Sequence, residues 1–359
     1  MVAGSSGHAV TAATDNTGAR QRDLSPAVLR ERLSSFIESR TGRRAKVSEL
    51  HRFPAGMSWS TFGFEADAES ESAAALILRL GDPGGLLAPY TAKPEFLALT
   101  SLGGQARLPI PKAFWYSDDE SILGAPFIVS QRMPGQAPLP WRSATSSADD
   151  DRTVARDFTD ALAAIHAFDW RASPVSALAE GVTPANAARR ALDWWVEKCG
   201  CDDVEAPPQM RYAMRWLQAN APASDRVCVV HGDYRVGNFL QADGRISAIL
   251  DWELVHLGDR HEDLAWASSR TFSAGTGRVG GLIAPDEFFG RYEAQSGLSV
   301  DRQAVAYYEV LAQFKMAALQ YGGARRIEDG RASDVRMAAM GFQLTRTLLD
   351  LGRSMEAVQ

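Results

Sequence analysis

VCVVHGDYRVGNFLQADGRISAILDW, residues Val227–Trp252, passes from a strand into a polar loop and back into a hairpin. Val227, Val229 and Val230 form an apolar, β-branched run that reads as a buried strand, and Gly232 breaks it into polar residues. Asp233 stands at that break. Beyond a short loop, Asn238 begins an extended arm that turns at Asp243-Gly244, a pair suited to a tight hairpin because glycine accepts positive φ without steric penalty. The return arm RISAILD alternates, becomes wholly apolar and ends on Asp251. With Asp243 and Gly244 as the central turn residues, Ala242 faces Arg245 and Asn238 faces Ile249, which leaves Asp251 one pleat past Asn238 at the same end of the ribbon. Asp233, Asn238 and Asp251 therefore converge in front of apolar strands, in the outline of a hard-metal and phosphate site.

The step from Asp233 to Asn238 is the catalytic-loop spacing of protein kinases, with a metal-binding Asp following on a strand. HGD-x-x-x-x-N followed by ILDWE, in place of HRD and DFG, resembles the aminoglycoside phosphotransferase and choline kinase branch of the kinase-like fold. Within that branch it is similar to the phosphotransferase domain of acyl-CoA dehydrogenase fusion proteins. The resemblance implies an α+β, two-lobed kinase-like fold with a small antiparallel-sheet lobe and a mainly helical one. It implies ATP or GTP and Mg2+ as cofactors, with γ-phosphoryl transfer to a hydroxyl of a small molecule. Asp233 would be the base, and Asn238 and Asp251 the metal ligands. The alternative is a catalytically silent nucleotide-binding regulatory protein of the same fold.

Composition sets the outer bounds. A chain of 359 residues, 45% hydrophobic and 23% charged, is ordinary for a globular protein with two lobes. Its net charge of -6 argues against a nucleic-acid partner. Basic and acidic residues balance at 14 each before Gln136, so the acidic excess falls wholly after it, where it could attract a cation or simply solvate a surface. Cys199, Cys201 and Cys228 fit neither a disulfide framework nor a zinc site, as expected of a reducing cytoplasm. No stretch approaches the roughly 18 apolar residues of a membrane span, and no signal core opens the chain.

Residues 1–23 read as a disordered tail, 24–135 as a nucleotide-binding lobe and 136–359 as a catalytic and substrate-binding helical lobe. Ser25-Pro26 opens a helix with Leu29, Leu33, Phe36 and Ile37 on one face, ending near Gly42. Strands are expected over Lys46–Phe53, Ser58–Ala66 and Ala73–Leu80, then around Ala113–Tyr116 and Pro126–Arg132. Between the first two, Gly56 with Met57 and Ser58 forms a turn that could approach phosphate, although one glycine is also an ordinary hairpin turn.

By resemblance, Arg79 stands where kinases carry a phosphate-gripping lysine, and Glu95, behind the helix-opening Pro94, would fix it. Arg is a departure, because the two cations differ in reach. The connector Gln131 to Met133 would hold adenine through its backbone. Helices are expected over Asp151–Phe168, Pro184–Cys199, Pro208–Asn220, Asp286–Ala294, Asp301–Tyr321 and Ser333–Leu349. His166 reads as a packing residue, and Asp259 as a helix cap followed by Asp263 in the first turn. Glu253, Trp194, Tyr307, Tyr308 and Gln313 are acceptor-pocket candidates, although Trp194, Trp195 and Trp216 read first as core rather than as a substrate platform. Aromatic and aliphatic residues outnumber acids there, which favours a small alcohol, phenol or sugar derivative with an apolar portion over a polycationic aminosugar.

Overall fold

The structure, a computed structural model, describes residues 24–358 except 55, 69–73, 106–107, 139–147, 202–203 and 274, together with the side chains of 68 and 148–150. The expected tail, 1–23, lies outside the described residues. The first half holds α1 (Pro26–Thr41), β1 (Ala45–Val47), β2 (His51–Phe53), β3 (Trp59–Ala68), β4 (Ala74–Gly81), α2 (Lys93–Leu102), β5 (Ala113–Ser117), α3 (Glu120–Leu123) and β6 (Phe127–Gln131). It forms one antiparallel sheet in the order β1-β3-β4-β6-β5, with β2 also on β3.

The sheet places the site through its period of two. Leu76, Leu78 and Leu80 of β4 point to one face, where they meet Leu29, Leu33, Phe36 and Ile37 of α1. Phe36 packs edge-on against Phe127 at 4.9 Å. Each fully buried side chain of this size contributes roughly 1.5–3 kcal/mol. Arg79 alternates to the opposite face, beside Ile128, whose contacts belong to the larger core.

One expected strand, Lys46–Phe53, is two. Pairing to β3 runs to Val47↔Ala66 and resumes at His51↔Gly63, four residues against three, so one residue is extra. Ser48 bridges the gap, its N–H donating to Glu65 O at 2.9 Å while its Oγ accepts from Glu65 N at 2.8 Å.

The second half is mainly helical: α4 (Ala148–Ala167), α5 (Ala187–Cys199), α6 (Pro208–Ala219), β7 (Cys228–Val230), β8 (Phe239–Ala242), β9 (Arg245–Ile249), β10 (His256–Gly258), α7 (His261–Ser268), α8 (Pro285–Ser296), α9 (Arg302–Glu328) and α10 (Val335–Glu356). β7 pairs with β10, and β8 with β9, each antiparallel. The three cysteines are free. Among the described residues no helix is long and apolar enough to cross a membrane.

Candidate active site

β7 ends against Gly232, whose φ of +82° and whose closeness to Leu254 O, 2.5 Å from where a Cβ would stand, leave room only for glycine. The chain is clamped on both sides of that residue. Asp263 of α7 accepts from His231 N at 2.6 Å and Gly232 N at 2.9 Å, and His166 Nε2 lies 3.2 Å away. Burial opposes its charge, but these hydrogen bonds and the nearby histidines hold its carboxyl below the usual range. His166 also meets Tyr292 OH at 2.8 Å, so it is the packing residue expected. From α9, Lys315 Nζ donates to Gly232 O and lies 3.9 Å from the ring centre of Trp266. Its burial among rings lowers its pKa. His231 is fully buried, with Nε2 donating to Leu250 O at 3.0 Å and Nδ1 accepting from Asp233 N at 3.2 Å. Burial lowers its pKa and keeps it neutral, as those two roles require.

The clamp presents Asp233 to the cleft. Its Oδ1 accepts from Trp266 Nε1 at 2.6 Å and Arg235 Nε at 3.2 Å, and its Oδ2 from Asn238 Nδ2 at 2.6 Å. Asn238 Nδ2 also donates to Asp233 O at 2.9 Å, which turns the amide oxygen away from Asp233. The hairpin differs from the register expected. Gln241 faces Ile246 but Leu240 faces Ala248, so Ser247 is an inserted residue and Phe239, not Asn238, faces Ile249. Ser247 Oγ donates to Pro134 O at 2.6 Å, tying the bulge to the connector. The slip sets Leu250 N on Asn238 O at 2.8 Å, with Asp251 next along. Asp251 has φ +67°, a conformation costly for a residue with a Cβ and common at functional positions.

Across the cleft Arg79 spans two acids, Nη1 to Glu95 Oε1 at 2.7 Å and Nη2 to Asp251 Oδ1 at 2.8 Å. Burial disfavours its charge, yet the three facing carboxylates of Glu95, Asp251 and Glu253 hold its pKa above the ordinary value. Glu95 is buried, and that burial outweighs Arg79 and raises its pKa. Asn238 and Asp251 supply a neutral oxygen and a carboxylate, a donor set that fits magnesium, which takes few protein oxygens. No group of three or more His, Cys, Asp or Glu gathers as a metal site among the described residues. A metal here would complete its shell with phosphate and water.

The Gly56 turn lies at the mouth of β3, with Gly56 at φ +98° and Ser58 buried. Met57 O accepts from Leu86 N and Gly56 O from Arg336 Nη2 at 2.8 Å. In the connector, the amide of Gln131 donates to Lys112 O at 2.8 Å and that of Arg132 to Ala75 O, two residues short of Pro134. Met133 follows β6, half-buried.

Beside Gly232 lies a cavity of about 270 Å3. Trp59 and Leu87 line it from the sheet lobe, Trp194 and Trp195 from α5, and Glu253 and Leu257 from the segment after Asp251. The Oε2 of Glu253 is buried there without a hydrogen-bond partner among the described residues. Tyr307, Tyr308 and Gln313 are not in this wall. Tyr307 is 4% exposed and donates to Leu217 O, Tyr308 is 1% exposed, and Gln313 Nε2 donates to Ser269 Oγ. They stand on the faces of α9 that pack against α6 and α7, a choice that helical spacing leaves open. Trp195 is 3% exposed, core and wall at once, whereas Trp194 is 42% exposed at the rim.

Asp263, Trp266 and Lys315 escape sequence reasoning as parts of this site. The available signals were a carboxylate opening the apolar run DLAWA and a lone lysine in AQFKMAAL. Asp259 does serve the start of α7, accepting from His261 N at 3.0 Å, while Arg260 is buried and donates to Asp225 and to Ser299 O.

A family model described as the APH phosphotransferase enzyme family matches residues 49–308. A Gallus gallus protein named acyl-CoA dehydrogenase family member 11 is 27% identical over 311 residues, 80% of this chain and 38% of its own length. A Mus musculus protein named family member 10 is 25% identical over 347 residues, 90% of this chain and 31% of its own. The chain thus spans only about a third of these relatives. Among solved structures, a candidate aminoglycoside phosphotransferase from Ralstonia eutropha has a TM-score of 0.69 at 20% identity, over 92% of this chain and 98% of that one. A thermostable mutant of aminoglycoside phosphotransferase APH(4)-Ia, in ternary complex with AMP-PNP and hygromycin B, has a TM-score of 0.55 at 17% identity, over 90% and 98%. At such identities the structures speak for the fold, which is α+β, two-lobed and kinase-like.

Proposed function

The chain belongs to the phosphotransferase enzyme family, and on that premise we propose that it is a small-molecule kinase moving the γ-phosphoryl group of ATP or GTP to an acceptor hydroxyl. One set of contacts supports the reading: Asn238 hydrogen-bonds Asp233 and, through its O, Leu250 N beside Asp251, while Arg79 reaches Asp251 from the other lobe and is held by Glu95. The AMP-PNP and hygromycin B of the APH(4)-Ia complex support a nucleotide beside a small acceptor.

In this reading Asp233 orients the acceptor hydroxyl and takes its proton as the oxygen bonds to the γ-phosphorus and the β,γ-bridging bond breaks. Trp266, Arg235 and Asn238 fix the carboxylate before the acceptor arrives, which is the positioning that a loose phosphoryl-transfer transition state rewards. Asn238 and Asp251 would hold Mg2+, which neutralises charge on the phosphates when bound. Arg79 grips the phosphates, with Glu95 setting its angle. Gly56, Met57 and Ser58 cover the phosphates, and Gln131 to Met133 receive the base.

Glu253 offers its unpartnered Oε2 to a donor on the acceptor, and Trp194 closes the rim. The cavity, about 270 Å3, is slightly smaller than the roughly 300–1,000 Å3 of ordinary ligand sites. Its indole and leucine walls favour a small alcohol, phenol or sugar derivative with an apolar part, and aminoglycosides are expected to be poor substrates. The test is nucleoside diphosphate release, coupled to mass detection of the phosphate ester, on a panel of neutral, acidic and aminosugar hydroxyl compounds. Nucleotide binding with no turnover of any acceptor would instead favour a regulatory protein. A far higher kcat/KM for aminosugars than for every other acceptor would overturn the acceptor assignment.

A further inference from the structure

The cavity beside Gly232 has an uneven distribution of charge. One side holds Glu253, whose carboxyl is pushed up to about 8 by burial and the neighbouring Asp251 and so carries little charge, and Glu262 in the wall is engaged by His256 Nε2 at 3.1 Å. On α5, Arg190, Trp194 and Lys198 follow one another at four-residue steps and so form a single stripe along the same wall. Arg190 is exposed and Lys198 half-buried, which places the stripe at the mouth. Neither cation is paired with a carboxylate among the described residues. Lys198 Nζ donates only to Pro89 O, at 2.8 Å, whereas the neighbouring Arg189 on the outer face has Asp193 at 2.9 Å.

Two cations with no carboxylate in ion-pair reach among the described residues, at the edge of an apolar cavity, lose hydration when a ligand covers them, unless the ligand brings the opposite charge. A polycationic acceptor would meet repulsion there. A carboxylate matches the guanidinium fork and adds charge-assisted hydrogen bonds. We infer that the acceptor is a hydroxy carboxylate, with its hydroxyl at Asp233, its apolar middle against Trp194 and Trp195, and its carboxylate at Arg190 and Lys198.

The inference rests on the kinase reading and narrows its substrate class. The carboxylate is a handle only. The hydroxyl oxygen bonds to the γ-phosphorus, its proton passes to Asp233, the nucleoside diphosphate leaves, and the product is the phosphate monoester of the hydroxy acid.

Two hydroxy acids, 6-hydroxyhexanoate and 4-(hydroxymethyl)benzoate, serve as probes against their primary amides, which keep the shape and remove the charge. In the wild type, kcat/KM for the acids should exceed that for the amides by about tenfold or more, the worth of a hydrogen bond to a charged group. The preference should shrink with added salt. Arg190→Gln and Lys198→Gln should each lower the acid-to-amide ratio several-fold and together bring it near unity, with Arg190→Lys restoring part of it. Thermal melting confirms that the variants fold. Calorimetry of 4-(hydroxymethyl)benzoate without nucleotide separates the two readings. Binding that is lost in the double variant, with no nucleotide consumed on any acceptor, would uphold the anionic site and overturn the kinase. Turnover with equal or better use of the amides would do the reverse. If the acids are neither bound nor turned over, the inference is overturned.

Discussion

Asp233 is hydrogen-bonded on both carboxylate oxygens, by Trp266 and Arg235 on one and Asn238 on the other. Asparagine at this position would turn an NH2 toward one of those donors. Asp233→Asn should therefore lose about 10^2 to 10^4-fold in turnover, the worth of a positioned base, and also destabilise the fold by about 1–3 kcal/mol through an unsatisfied donor. Steady-state kinetics and urea melts measure both, and wild-type-like turnover would remove Asp233 from the mechanism. His231 gives a pH signature. Because burial lowers its folded pKa below the ordinary 6.5, the unfolded chain binds the proton first. Its contribution is present above that value and is lost as pH falls below it. The melting-temperature advantage of wild type over His231→Gln should thus narrow between about pH 7.5 and about pH 5. A constant gap would mean that His231 is not held neutral. At this scale the sequence was legible where chemistry is local. HGD, Asn238 and Asp251 carry their own spacing, whereas Asp263 and Lys315 reach Gly232 from 31 and 83 positions away and leave no periodic trace.

Among the elements, the helices and strands followed apolar periodicity, and the errors sit at inserted residues. The extra residues near Ser48 and at Ser247 change register without changing composition, and both are held by side-chain hydroxyls whose partners are distant in sequence. Periodicity also could not say which face of α9 meets the cavity, which is why Tyr307 and Tyr308 lie in the core and Lys315 at the wall. The Gly56 turn shows a dependence of the same long-range kind. Arg336, in the first turn of α10, donates to Gly56 O at 2.8 Å, and Arg326 of α9 donates to Pro83 O at 3.0 Å. α10 thus braces the turn proposed to cover the phosphates, and α9 the Pro83 loop. Arg336→Ala should raise KM for ATP about two- to tenfold, the net worth of one hydrogen bond, while KM for the acceptor holds. Equal shifts in both constants would show a global rather than a local loosening.

At the scale of the molecule, the two lobes meet through a part-buried cation. Arg79 lies 172 positions from Asp251 and ties the sheet lobe to the end of the central hairpin. The carboxylate that would hold Mg2+ is therefore also the anchor of the other lobe. Asp251→Ala should abolish turnover, and chelator should abolish it reversibly in the wild type, with Mg2+ restoring it. Asn238→Ala should weaken metal use less, since a neutral amide carries less charge. Turnover that persists in excess chelator would exclude the magnesium reading.

The Trp266 indole donates to Asp233 at 2.6 Å, with the Lys315 ammonium 3.9 Å from its ring centre. An indole held between an anion and a cation is a built-in optical probe, because its emission shifts with the field along the ring. The difference spectrum between wild type and Trp266→Phe isolates it from the other eight tryptophans of the chain's nine. That signal should change when a hydroxyl compound reaches Asp233 and stay still when nucleotide binds alone, so acceptors could be found by light before any of them is turned over.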